Sequence, residues 1–244
     1  MQKIVVLCLV WMATLVPPLQ TQAVEIPTYS CRNGLFASHS ADHHFQLGRI
    51  QGKDRAYFYQ DSEGCPTGKN CKSSSYVIPG DRVIINQIQT DWACVWYQGV
   101  KSETVGWVPR AQIKLDPPTR IPQYTEWLGH WAYSKSASIS ITAAVKSKNK
   151  QALALDGQAF WFGLVVNGEQ VIHMGALATP ELIPDDNRLY YSEDRQEYSC
   201  QAEFLLLPPY LIVDDNLNCG GQNVSFRGVY TRSSQAFKNT VRGD

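Results

Sequence analysis

Four sets of side chains in this sequence have the types and spacing to do chemistry: a knot of histidines, three pairs of adjacent acids, seven cysteines and 27 aromatic residues (12 Tyr, 7 Trp and 8 Phe). His39, His43 and His44, with Asp42, are the only metal-like cluster. His39 and His43 have the i, i+4 spacing that sets two imidazoles on one helical face, as in a zinc pair. Nothing around them predicts a helix, and neither His130 nor His173 has an evident way to complete the site, so a solvated loop without metal is the expectation. The acids fall at Asp185-Asp186, Glu193-Asp194 and Asp214-Asp215. Two carboxylates in unlike environments can divide the roles of acid and base. Adjacent residues of a strand point to opposite faces, however, so none of these pairs makes a site by itself. Turn formation is the more economical role, since Asp bonds its own backbone there. No Gly-x-Ser-x-Gly or comparable nucleophile setting occurs. The expectation is a chain with no catalytic residue and no cofactor.

The cysteines point to a compartment. Cys8 sits inside the apolar run Ile4 to Val16, which follows Lys3 and ends at Pro17-Pro18, with small residues in Thr21-Gln22-Ala23. This reads as a secretory signal over residues 1–23, too short for a stable membrane anchor. Six cysteines remain, and an even number in an exported chain implies disulfides rather than metal ligands or nucleophiles. The six allow fifteen pairings and spacing only biases the choice: Cys65 and Cys71 bracket a short polar loop and are expected to close it, Cys200 and Cys219 flank two strand-like runs that they could staple, and that leaves Cys31 with Cys94 to tie the N-terminal segment onto the first domain. A periplasmic or secreted protein is expected, not membrane-embedded once the signal is cleaved. Without Lys3 the chain holds 21 basic against 22 acidic residues. That balance excludes nucleic acid and an anionic membrane surface as implied partners.

The elements that must position these residues are strands. Tyr, Trp and Phe favour them, and no helical periodicity is sustained. A proline-rich linker at 117–124 separates a first domain (49–116) from a second (125–233); residues 24–48 precede them and a flexible tail (234–244) follows. In the first domain the strands are Arg55–Tyr59, Arg82–Ile88, a third opened by Asp91-Trp92 and running through Tyr97, and a short one from Gly106 to near Ile113. Period two sets Ala93, Val95 and Tyr97 on one face of the third strand and Trp92, Cys94 and Trp96 on the other. Tyr57, Tyr59, Trp92 and Trp96 are the candidate ligand-binding residues, with Trp107 and at least one tyrosine in the core. Flat aromatic faces with polar tips suit sugar rings, peptide stems and protein partners alike. In the second domain Asn167-Gly168 between apolar runs is the strongest hairpin signal in the chain. Roughly eight strands are expected there, as an antiparallel β-barrel or a sandwich.

Val77-Ile-Pro-Gly-Asp-Arg-Val83, Asp91-Trp92 and Gly106-Trp107-Val108 together resemble the bacterial SH3-like domain, over about residues 49–115. The resemblance implies an all-β chain opening with an SH3-like small barrel, and a role in binding cell-wall components or proteins. A cysteine-bracketed loop replaces that family's short turn and would pre-organise the edge of its ligand groove. Gly129-x-Trp131 with Arg232 resembles the closing pair of lipocalin and calycin barrels, and Gly129 to Ala143 looks like the opening strands of avidin-like barrels. The ending Val213 to Tyr230 is similar to the C-terminal domain of uncharacterised exported proteins. Three readings follow. The first is a non-enzymatic periplasmic binding protein whose SH3-like domain docks to peptidoglycan or an envelope protein. The second is an inhibitor or immunity protein against a peptidoglycan hydrolase, such as a lysozyme or a secreted effector, entering a cleft with the Cys65–Cys71 loop or with Pro180 to Asn187. The third is a small-molecule carrier with an internal cavity lined by Trp131, Phe160 and Phe162.

Overall fold

The computed structural model describes residues 31–39, 44–133, 135–194, 196 and 198–233. The expected signal segment, the expected tail, and Asp42 and His43 lie outside them. The described chain is all-β, in two antiparallel sheets held by three disulfides. Among the described residues no helix is long and apolar enough to cross a membrane.

The first sheet contains β1 (Gln46–Ile50), β2 (Ala56–Tyr59), β3 (Lys72–Val77), β4 (Arg82–Gln89), β5 (Trp92–Gln98), β6 (Glu103–Pro109) and β7 (Ile113–Leu115), in the order β3-β2-β6-β5-β4-β1-β7. Alternation fills its core: Ala56 and Phe58 from β2, Val83 and Ile85 from β4, Ala93 and Val95 from β5, and Val108 from β6 all point inward. β1 begins inside the stretch that the sequence reading left to the N-terminal segment. β3 was not anticipated at all, because Lys72-Ser-Ser-Ser lacks the apolar alternation that marks a strand.

After the linker a short helix, α1 (Tyr124–Trp127), is closed by a capping box between Gln123 and Glu126. The second sheet then runs through β8 (Gly129–Tyr133), β9 (Ala137–Ala143), β10 (Leu153–Val166), β11 (Glu169–Leu182), β12 (Arg188–Ser192), β13 (Gln201–Leu207), β14 (Tyr210–Asp215) and β15 (Gly228–Ser233). Two meanders, β8 to β11 and β12 to β15, join where β15 pairs with β8, giving a nearly closed barrel whose opening lies between β11 and β12. At the join Arg232 opposes Trp131, its guanidinium 4.9 Å from the indole ring, and donates to the carbonyl of Glu126. Trp127, Trp131, Phe204, Phe226 and Tyr230 fill the interior, and the Trp131 indole N–H donates to the Trp127 carbonyl at 3.0 Å.

A third apolar cluster joins the two sheets. Ile84, Cys94, Trp96 and Trp107 from the outer face of the first meet Leu205, Leu207, Ile212 and Val229 from the outer face of the second, with Cys31, Phe36 and Ala37 wedged alongside. The wedge is fastened at several points. Cys31 is bonded to Cys94, the Asn86 amide donates to the Phe36 carbonyl at 3.0 Å, and the His39 N–H donates to Asp214 at 2.8 Å. Asp61 accepts from the Cys31 N–H at 2.8 Å and from the buried Trp107 indole N–H at 2.9 Å. Asp61→Ala should lower unfolding free energy by about 2–3 kcal/mol, because it leaves both donors without their acceptor. A urea titration of the variant against wild type measures this, and a loss under about 0.5 kcal/mol would remove Asp61 from the seam's framework.

Candidate functional site

Three of the four predicted ligand-binding residues lie on one strip of the first sheet. Ala56 and Phe58 of β2 turn inward, so Tyr57 and Tyr59 turn outward together. The register sets Tyr57 opposite Tyr76 and Tyr59 opposite Lys72. The Tyr57 and Tyr76 rings are 5.8 Å apart, and Tyr59 meets Trp92 edge-on at 4.7 Å. Two cations complete the strip: Lys72 Nζ lies 3.6 Å from the centre of the Tyr57 ring, and the Arg55 guanidinium 4.2 Å from that of Tyr76. Tyr76 is exposed, while Tyr59 and Trp92 lean on the seam between the sheets. Lys72, Tyr76 and the strand that carries them had no sequence signal as a site, since only the β2–β3 register brings them to Tyr57, whereas Arg55, two residues before Tyr57, shares its face by alternation.

Trp96, the fourth, is corrected. It is 1% exposed and sits inside the seam, edge-on to Tyr210 of β14 at 5.4 Å, its indole N–H donating to Glu103 at 2.7 Å. Alternation placed it on the Trp92 face correctly, but the second domain covers that part of the face. Glu103 also accepts from the Tyr133 hydroxyl at 3.0 Å. Burial, with the Glu103 carboxylate beside it, holds that phenol protonated far above the ordinary tyrosine range. It serves as a donor that pins β8 to the start of β6.

The acids behave as turn and strand residues. Asp185 and Arg188 close a tight turn through paired backbone bonds, and Asp194 accepts from the Gln196 N–H at 2.7 Å. Asp214 and Asp215 point to opposite faces. Asp214 takes the Arg227 guanidinium at 2.5 Å on the outside, and buried Asp215 accepts from Ser225 Oγ and the Phe226 N–H. The register brings together a pair the sequence hid: Glu203 of β13 stands directly opposite Asp214 of β14. Arg188 pairs with Glu203, and His39 Nδ1 lies 3.3 Å from it, so the cluster clamps the wedge to the second barrel. Among the described residues no group of three His, Cys, Asp or Glu side chains could hold a metal ion.

The second barrel's expected cavity lining is also corrected. Trp131 is core, but Phe162 is half exposed and Phe160 stacks on it at 6.2 Å, outside the barrel. Both belong to a hairpin arm. β10 and β11 are 14 residues each, and β9 pairs with β10 only as far as Ala159, so the ribbon beyond Phe160 projects past the barrel. Its turn is the expected Asn167-Gly168, both residues at positive φ. The loops expected to protrude do not have this form. Pro180 lies within β11, and the Cys65–Cys71 loop folds on itself through a Gly68 N–H to Gly64 carbonyl bond at 2.7 Å.

No protein-family model matches the chain, and neither does any curated protein or solved structure compared with it.

Proposed function

We propose a non-enzymatic exported binding protein that docks to peptidoglycan through its first sheet. The strip Arg55, Tyr76, Tyr57 and Lys72 carries this reading. Tyrosine rings give sugar faces a platform, and flanking cations attract the carboxylates of peptide stems, which is the mixed character of a cell-wall strand. The resemblance of Val77 to Val83 and of Gly106-Trp107-Val108 to bacterial SH3-like domains supports it. Three disulfides suit an oxidising compartment outside the cytoplasm, which agrees with the signal read over residues 1–23. An envelope protein is the other partner that the same strip would fit.

The test is co-sedimentation of the purified chain with insoluble sacculi. Wild type should pellet with them, and Tyr57→Ala combined with Lys72→Ala should weaken binding about tenfold or more, the scale of one lost aromatic platform and one lost charge contact. Both positions lie outside the core, so the variant should keep the wild-type unfolding midpoint. Wild type left in the supernatant would end the peptidoglycan reading.

A further inference from the structure

The arm has a property that neither the strip nor the seam accounts for. Phe162, Leu164, Val165, Val166, Val171, Ile172 and Met174 are all exposed within 13 residues of chain, Leu164 at 80% and Met174 at 64%. Isolated exposed hydrophobics need no explanation, but a contiguous patch does. The register divides the patch. Phe160 opposes Met174 and Phe162 opposes Ile172, which makes one flat outer face, while Leu164 to Val166 form an apolar tip. Towards the barrel the same face continues through Ala176 and Ala178, both exposed and small.

We propose that this arm is a homodimer interface, packed face to face and antiparallel against the arm of a second copy of this chain. Charge selects that occupant. From Gly157 to Pro180 the only Asp, Glu, Lys or Arg is Glu169, in a chain that carries 22 basic and 22 acidic residues. Such a surface offers a charged foreign partner no complement, whereas two copies meet without like-charge repulsion. Shape agrees. A two-fold axis near Phe162 and Ile172 would lay the bulky tip of one copy over the small Ala176 of the other. On that face Phe162 is 50%, Ile172 48% and Met174 64% exposed, and the tip residues Leu164, Val165 and Val166 are 80%, 65% and 53% exposed, an apolar surface of the kind that forms the centre of a stable interface.

Two other modes fit less well. A bulge between Phe162 and Val165 breaks the regularity of the free β10 edge, which is how edge-to-edge strand pairing is normally blocked. Insertion into lipid would leave the unpaired backbone groups of a two-stranded ribbon without partners, and would take Glu169 at the turn with them.

Sedimentation equilibrium of the purified chain, with its disulfides formed, decides the matter. Wild type should be a dimer with micromolar affinity, and Phe162→Asp should weaken it by about 100-fold or more, as expected of a central apolar anchor. Val145→Asp, at a 96% exposed position between β9 and β10, should leave the dimer intact. If Phe162→Asp lowers the unfolding midpoint, Leu164→Lys at the tip gives the same reading without touching the barrel. A monomeric wild type, or a dimer that survives both arm substitutions, overturns the proposal. A wild-type monomer that floats with phosphatidylethanolamine–phosphatidylglycerol vesicles also overturns it and assigns the arm to lipid.

Discussion

Trp96→Ala should destabilise the chain by about 3–5 kcal/mol, the range for emptying a large aromatic site in a packed core. The magnitude follows from position. Trp96 is 1% exposed among residues of both sheets, and its ring meets Tyr210 edge-on at 5.4 Å. The indole N–H is one of two donors to Glu103, so its loss leaves a half-buried carboxylate with Tyr133 alone. Because the side chain belongs to the first sheet and much of its packing to the second, the cavity would open between them. Two-state unfolding in wild type should therefore give way to two separable transitions in the variant. Urea titrations followed by near-ultraviolet circular dichroism, with proteolysis mapped across 117–124, read both effects. A single transition shifted by less than about 1 kcal/mol would mean that the sheets do not depend on this seam.

Replacing Cys31 and Cys94 together by serine should cost about 4 kcal/mol, the loop-closure value for a cross-link between residues 63 apart. The same substitution at Cys65 and Cys71, only 6 apart, should cost about 2 kcal/mol. The difference reflects more than entropy. The long cross-link holds Phe36 and Ala37 against the seam, so its loss should also release the wedge and expose Trp96 and Ile84 to solvent. Denaturant midpoints for the two serine pairs, with tryptophan emission as the probe, give the comparison. Equal losses from the two pairs would show that the wedge holds without its disulfide.

Much of the architecture was legible because it obeys local rules. Period-two alternation in Ser138-Ile-Ser-Ile-Thr142 and turn chemistry at Asn167-Gly168 each specify a strand or a hairpin from a few neighbouring residues. The pairing of Cys31–Cys94, Cys65–Cys71 and Cys200–Cys219 was favoured by spacing and by flanking strands among the fifteen possible sets, and the structure bears it out. Val83, Ile84 and Ile85 are consecutive and all buried, and a continuous apolar run marks a strand covered on both faces. That run announces that something must pack on the outside of the first sheet.

The candidate surfaces were legible only in part. Tyr57, Tyr59 and Trp92 carry the aromatic signal themselves, but Lys72 and Tyr76 join them through a strand whose serines carry no pattern. Glu203 and Asp214 are 11 positions apart, and register alone makes them neighbours. The sequence by itself therefore determined the strand class and the hairpin turn, since each depends on residues close in the chain, and it favoured the cross-links without fixing them. The tertiary structure decided that Trp96 is a buried joint rather than a ligand platform, and that β10 and β11 outrun the strands beside them. Both outcomes depend on what lies across from a side chain, and apolar residues read the same in a sequence whether a second domain covers them or solvent does.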